Sequence, residues 1–329
     1  MKVESVNLPL KKKIPIQSGA VQQLLAFASL IILILFFSIS SSNFFQFSNI
    51  IGILLSTSVT GILALGATFV IITGGIDLSV GTVMTMCSVM AGVFITSWGL
   101  PMPLGVLGGI LTGAISGLLA GLAVAKLKIP PFIATLAMMM IAKGLALVIS
   151  GTKPIYFTAS PGFPKISTGS IVAGFEIPNA VLIFFGMAVL GGLILNKTII
   201  GRYTFALGSN EEATRLSGVN VNFWKVIIYT IAGVFTGVAG ILMASRLNSA
   251  QPALGMGYEL EAIAAVVIGG TSLSGGKGTI LGTVIGALIM SVLTNGLRIL
   301  SVPQEWQTVV VGFVVLLAVY ADNLRRKKA

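Results

Sequence analysis

One polar stretch of the sequence carries residues suited to a protein contact. Residues 201–221 read GRYTFALGSNEEATRLSGVNV. Ser209 followed three residues later by Glu212 forms a capping box, which predicts a short helix over about 210–217. Gly218 is placed to end that helix in a left-handed conformation.

The predicted helix offers both charged and apolar contacts. A helix that is ordered beforehand loses less entropy on binding, so it can serve to dock a partner protein. The candidate docking residues are Ser209, Asn210, Glu211, Glu212, Arg215, Leu216 and Gly218. The alternative is a surface helix that only stabilises the surrounding loop.

Two glycine-rich patches interrupt apolar runs at residues 73–81 (TGGIDLSVG) and 269–278 (GGTSLSGGKG). Irregular backbone at membrane depth is tolerated where it lines a cavity or is buried in protein. Its dipoles can bind a polar solute or form a gate. The candidate pathway or gate residues here are Gly74, Gly75, Asp77, Ser79, Gly269 and Gly270. The alternative for Asp77 is a tight turn in which its carboxylate caps the next helix.

Single polar residues inside apolar runs are further candidates. Lys143 falls in mid-span, where a charge is costly, so we expect it to face a polar cavity or a structural partner. Asn295 and Arg298 are weaker pathway candidates near the end of another run. Glu259 and Glu261 precede an apolar stretch, and we expect them to cap a helix.

The second patch is superficially similar to a phosphate loop but fails its spacing. With Lys277 as the motif lysine, the motif needs a glycine and a hydroxyl where the chain has Thr271 and Gly278. The chain also has no histidine, which removes the commonest general base and metal ligand. We therefore expect a non-catalytic chain without a bound cofactor or metal, so that any ATP hydrolysis must come from a partner.

The composition places these motifs in a membrane. Of 329 residues, 55% are hydrophobic and 9% are charged, which is too few to cover a water-exposed surface. The net charge of +11 fits cationic residues retained on the cytoplasmic side, so no nucleic-acid partner is expected.

These features predict an all-α polytopic integral membrane protein with about ten transmembrane helices. The predicted spans are 21–40, 50–73, 80–98, 104–125, 131–150, 178–196, 225–245, 258–271, 279–298 and 305–322. The 258–271 stretch is short and can be tilted, broken or re-entrant.

The distribution of Lys and Arg predicts cytoplasmic N- and C-termini. The predicted segments are a tail at 1–20, one transmembrane domain at 21–322 and a tail at 323–329. The domain contains an external loop at 151–177 and a cytoplasmic loop at 197–224.

The chain resembles the ribose-type permease family of bacterial ATP-binding cassette importers. The resemblance rests on GGIDLSVG at 74–81, FIATL at 132–136, residues 201–221, SAQP at 249–252 and the long stretch 257–278. It implies a multi-pass inner-membrane permease that pairs with a second copy or a close paralogue. It also implies two cytoplasmic ATP-binding subunits or domains and a periplasmic sugar-binding protein, with the 202–220 loop as the coupling helix.

Other functions stay open at this stage. A permease of the same superfamily could carry a nucleoside, an autoinducer-like furanose or a branched amino acid instead of a monosaccharide. An ion-coupled secondary transporter would need paired acids or histidines inside its spans, and a channel would need a filter motif.

Overall fold

The computed structural model describes residues 18–171 and 176–327, which form a bundle of helices with one short pair of strands. The helices are α1 (Ser18–Ser40), α2 (Phe47–Ile72), α3 (Val80–Gly92), α4 (Met102–Ala125), α5 (Pro131–Ile149), α6 (Lys165–Thr168), α7 (Asn179–Lys197), α8 (Ile199–Ser209), α9 (Glu211–Leu216), α10 (Val221–Leu247), α11 (Tyr258–Ile268), α12 (Ile280–Ile299) and α13 (Gln304–Lys327). A π-helical turn, Val93–Ser97, extends α3. The strands are β1 (Ile155–Tyr156) and β2 (Ser249–Ala250).

Nine helices in the described part of the chain are long and apolar enough to cross a bilayer. This confirms the predicted all-α multi-span fold. Ten spans were predicted, and the one that is not a long helix is α11. It has 11 residues and is about 16 Å long at 1.5 Å per residue. A helix of that length cannot cross a hydrocarbon core of about 30 Å alone. The glycine-rich segment after it continues to the end of α2, where the Gly276 N–H donates to the Ile72 carbonyl, so α11 and this segment together make the tenth crossing.

Close glycine contacts hold the centre of the bundle together. Gly113 of α4 faces Gly237 of α10, and a Cβ on Gly113 would lie 2.8 Å from the Gly237 nitrogen. Gly117 faces Gly233 on the same two helices. The glycines on these two helix faces thus let the two backbones pack directly against each other.

The connection between α5 and α7 is tied down at several points. β1 pairs antiparallel with β2, so Ile155 lies opposite Ala250 just after the end of α10. Phe157 stacks on Phe163 with ring centroids 3.8 Å apart. Ser245 Oγ donates to the Phe163 carbonyl at 2.7 Å. This part of the predicted external loop is therefore ordered against α10.

Several predicted boundaries shift. The predicted loop at 197–224 contains two helices, α8 and α9, and α13 continues past residue 322 to Lys327. Most of the predicted N-terminal tail and residues 172–175 of the predicted external loop lie outside the described residues. Below, the end of the bundle that carries α8 and α9 is called the α9 end, and the end that carries β1 and β2 is called the far end.

Candidate functional site

The helix predicted in the polar stretch exists as α9, but a different residue caps it. The side chain of Asn210 accepts a hydrogen bond from the Ala213 N–H at 2.9 Å. The prediction that Ser209 is the cap was wrong, because α8 continues through Ser209 and leaves Asn210 as the first non-helical residue. The cap is a side-chain oxygen that accepts from a first-turn N–H, as expected for an asparagine at this position.

The predicted end of α9 is confirmed. Gly218 has φ +83°, in the left-handed region. Its N–H donates to the Arg215 carbonyl at 3.0 Å, and the Val219 N–H donates to the Thr214 carbonyl at 3.4 Å. This pair of bonds is the Schellman arrangement, which satisfies the last carbonyls of a helix.

A charged network joins α9 to the beginning of α10. Lys225 Nζ donates to Glu211 at 2.6 Å, and Arg215 donates to Glu211 at 3.0 Å and to Glu212 at 2.9 Å. The Lys225 side chain is only 18% exposed, so this ion pair is screened less than the two pairs of Arg215. Glu212 and Leu216 remain exposed on the outer side of α9. One side of α9 is therefore fixed to the bundle and the other is free for contact.

The end of α8 meets the second glycine-rich patch and Ile72, the residue just before the first patch. The Gly276 N–H donates to the Ile72 carbonyl at 2.8 Å, which joins the 269–278 patch to the end of α2. Gly208 lies against the same Ile72 carbonyl and against the Gly276 nitrogen, so that a Cβ there would collide with backbone. We call the contact of Ile72, Gly208, Gly275 and Gly276 the glycine junction. It joins α2, α8 and the segment before α12 at one point.

The first patch is an extended break between α2 and α3. Gly74 has φ +80°, and a Cβ on Gly75 would lie 2.6 Å from the Tyr229 hydroxyl of α10. The buried carboxylate of Asp77 accepts from the Ser79 N–H at 2.8 Å and from the Ser79 hydroxyl at 2.6 Å. Burial raises the pKa of Asp77, and the hydrogen bonds from Ser79 oppose that rise. The carboxylate thus closes a turn before α3, as expected, but it does not cap α3, which follows Ser79 directly.

The second patch packs against α12. Gly269 lies so close to Gly282 that a Cβ would meet its backbone, and Gly270 has φ +94°. Both predicted patches are thus packed against protein, and the structure brings them together at the glycine junction. Gly74 lies next to this junction, since a Cβ there would be 3.6 Å from the Ser274 carbonyl.

The isolated polar candidates lie apart from this region. Lys143 is half-buried on α5. Asn295 of α12 has a buried side-chain oxygen without a hydrogen-bond partner among the described residues. Glu259 accepts from the Gly257 N–H at 3.0 Å, in keeping with its predicted capping role. Glu261 also lies in the first turn of α11, and its carboxylate accepts a 3.4 Å hydrogen bond from Thr60 of α2.

Sequence reasoning missed α8 and the role of Lys225. The signal for α8 was available, because its buried residues Gly201, Thr204 and Leu207 recur every three residues on one helix face. The partnership of Lys225 with Glu211 had no local signal, since 14 residues separate the two.

Together, these features define a class of protein. Broken helices inside a multi-span bundle are typical of membrane transport proteins, and here a fixed, capped helix projects from the end where the breaks meet.

The chain belongs to the family described as "Branched-chain amino acid transport system / permease component", whose model matches residues 49–319. It is 45% identical over 312 residues to the ribose import permease protein RbsC of Bacillus subtilis (strain 168), covering 94% of this chain and 95% of that protein. The ribose import permease protein RbsC of Escherichia coli (strain K12) is 42% identical, covering 91% of this chain and 92% of that protein. The xylose transport system permease protein XylH of Haemophilus influenzae is 34% identical, covering 95% and 99%. The chain is a permease subunit of an ATP-binding cassette importer and a multi-pass protein of the bacterial inner membrane.

Proposed function

We propose that this permease subunit carries a monosaccharide, ribose or a similar pentose or hexose, across the inner membrane. The observation that carries the proposal is the 45% identity to a ribose import permease over nearly the whole of both chains. The xylose permease, which is also similar along its whole length, supports the same solute class.

The energy comes from ATP that a separate ATPase subunit hydrolyses with its own Mg²⁺, while this chain binds no cofactor. Two such subunits or domains dock on α9 from the cytoplasm, which places the α9 end and both termini inside the cell. The Asn210 cap, the Gly218 termination and the Lys225–Glu211 ion pair support α9 as the coupling helix, because they hold its outer face in place. A second permease copy or close paralogue completes the translocation unit, and a periplasmic binding protein delivers the sugar.

The test of this function is solute uptake by the reconstituted importer. The permease, its ATPase and its binding protein are reconstituted in liposomes. ATP is supplied on the side of the membrane that carries the ATPase. We expect uptake of labelled ribose that requires both ATP and the binding protein. Uptake that follows an ion gradient without ATP would refute the importer mechanism.

A branched-chain amino acid is the second candidate solute, because the matching family model carries that description. Labelled leucine in the same liposomes separates the two candidates. Leucine uptake without ribose uptake would overturn the proposed sugar.

Docking on α9 has its own test. Glu212 is 68% exposed on the outer face, so Glu212→Trp adds bulk there without entering the core. We expect the ATPase to lose association with this variant while the spans still fold. The matched control is Glu305→Trp, an exposed glutamate in the first turn of α13 at the far end. Equal ATPase binding by both variants would refute the docking role of α9.

A further inference from the structure

A narrow crevice lies between α1, α11 and α13. Its volume is about 210 Å³. The apolar side chains that line it are those of Leu25, Ala26, Val267, Ile268, Ala318 and Ala321. We call these six residues the apolar crevice. Ser29 also lines it, but its hydroxyl donates to the Ala26 carbonyl at 2.7 Å, so this polar group already has its partner.

The apolar crevice lies toward the α9 end of the bundle. Gln23 donates to the Thr279 hydroxyl at 2.8 Å, which places the start of α1 beside the start of α12. Ile268 is the last residue of α11, and the glycine-rich patch that follows it leads to the glycine junction. Ala321 lies six residues before Lys327, where α13 ends. A hydrocarbon chain in the crevice would therefore lie in the leaflet at the α9 end.

The surface around the apolar crevice is suited to hydrocarbon. Leu24 of α1 is 67% exposed and Leu317 of α13 is 62% exposed. Both belong to helices that are long and apolar enough to cross a bilayer. An empty gap between such helices would forfeit the dispersion contacts of its walls. A lipid chain fills a gap of this kind without needing any polar contact.

Cationic residues lie beyond the crevice, toward the membrane surface at the α9 end. Lys277 is exposed just before the start of α12. The last six residues of α13 include Arg325, Arg326 and Lys327, with Asp322 as their one acidic residue. Four positive charges against one negative charge make this end of the crevice cationic. An acyl chain in the crevice would bring its phosphate to the same end.

From this combination we propose that the apolar crevice binds an acyl chain of an anionic phospholipid, whose phosphate pairs with the cations beyond it. Basic pockets between transmembrane helices bind anionic lipid headgroups in this way. A second copy of the chain is a less suitable occupant, because it would bring two cationic surfaces together. The bound lipid would support the end of α11 through Ile268. The inference goes beyond the proposed function and does not depend on the solute.

The test is photolabelling of the complete importer by lipids in liposomes. One preparation contains a trace of phosphatidylglycerol with a photoreactive acyl chain, and the other contains the matching phosphatidylcholine in the same bilayer. The labelled peptides are identified by mass spectrometry, and the amount of label is divided by the permease content.

Two variants separate the acyl chain from the phosphate. Ala318→Leu fills the crevice, and its matched control is Ala137→Leu, an exposed alanine on α5. Lys277→Gln removes one cation, and its matched control is Lys128→Gln, an exposed lysine that bonds to Asn222 at the α9 end.

We expect phosphatidylglycerol to label the crevice peptides of α1 and α13 at least tenfold more than phosphatidylcholine does. Ala318→Leu should lower the labelling by phosphatidylglycerol at least fivefold, because the added atoms occupy the place of the chain. Lys277→Gln should lower the preference for phosphatidylglycerol about fivefold, which is the usual contribution of one cation near the membrane surface. The two controls should match the unmodified importer.

Three outcomes would overturn the lipid site. Equal labelling by the two lipids would show a surface that meets lipid without selecting it. Absence of labelling by either lipid would show that protein, such as a second copy, covers the crevice. Labelling that neither Ala318→Leu nor Lys277→Gln changes would place the lipid elsewhere. If Ala318→Leu does not reach the membrane, Lys277→Gln decides the matter alone. The measurement does not involve ribose, so a failure of the proposed function would not alter it.

Discussion

The α9 end and a cleft at the far end differ in how their charged side chains are paired. We call this cleft the polar cavity; its polar lining residues are Ser56, Tyr258, Glu261, Arg298, Gln304 and Gln307. At the α9 end, Glu211 is bound by both Lys225 and Arg215. In the polar cavity, Glu261 and Arg298 have no ion-pair partner among the described residues. The first arrangement fixes a helix in one position, which suits the transmission of force. The second leaves both charged side chains outside the ion pairs of the described residues.

The glycine junction at the α9 end is packed more tightly than the wall of the polar cavity. The glycine junction excludes even a methyl group at Gly208, whereas Gly312, which lines the cavity, has no atom near the place of a Cβ. The bundle thus contains one tightly packed region and one open region.

The largest effect is expected from Gly208→Val at the glycine junction. The added side chain would collide with the Ile72 carbonyl and the Gly276 nitrogen, which are backbone atoms that cannot rotate away. Overpacking of this kind costs about 1–3 kcal/mol or more. We expect loss of ATP-driven uptake and reduced permease in the membrane. Gly192→Val is the control, because that glycine has open space around it. Normal uptake by Gly208→Val would show that the junction is not tight.

A smaller effect is expected from Lys225→Met. The change removes the ion pair that holds α9 to α10, a partly buried pair worth about 1 kcal/mol after allowance for solvent screening. We expect about fivefold less ribose uptake per ATP hydrolysed. Lys128→Met is the control, since Lys128 bonds only to Asn222 in an exposed contact. Unchanged coupling in both variants would contradict the idea of a fixed helix.

The cap of α9 gives the third comparison. Asn210→Ala removes the bond to the Ala213 N–H and should cost about 1 kcal/mol. In a helix of six residues this loss frays the first turn, so we expect weaker ATPase association in a pull-down titration. Asn220→Ala removes the equivalent bond from α10, whose 27 residues are held by packing, and should leave association unchanged. Equal behaviour of the two variants would mean that the order of α9 does not matter.

The smallest effect is expected at the cavity wall. Gly312→Ala adds one methyl group where nothing lies within 4 Å, so uptake should change less than about twofold. The same change at Gly275 meets φ +85° and two carbonyl oxygens 2.9 Å away, so uptake should fall well below that of Gly312→Ala. Equal tolerance at both glycines would remove the contrast between the rigid and the open region.

The sequence predicted the elements that depend on local patterns. Nine apolar spans, the existence of α9 and its end at Gly218 all follow from signals within a few residues. The cap was placed one residue early because Ser209 and Asn210 can both cap a helix. The choice between them depends on how far α8 extends, and α8 is held by its contact with α2.

The polar cavity could not be predicted in the same way. Ser56, Glu261, Arg298 and Gln307 come from four helices, and no spacing rule connects them. Glu259 and Glu261 carried the same capping signal and both lie in the first turn of α11, but only Glu259 bonds to the start of the helix. Only the packing of α2 against α11 turns the Glu261 side chain toward Thr60.

The 27 residues of α10 form an unbroken rod of roughly 40 Å at 1.5 Å per residue. One tip is fastened to α9 through Lys225, and the other runs directly into β2, which is paired with β1. A displacement at either tip is therefore carried along the whole thickness of the bilayer. Coupling between two binding sites is reciprocal. A protein that binds the strand pair would therefore change the affinity of α9 for its partner by the same factor as that partner changes the affinity of the strand pair for the first protein.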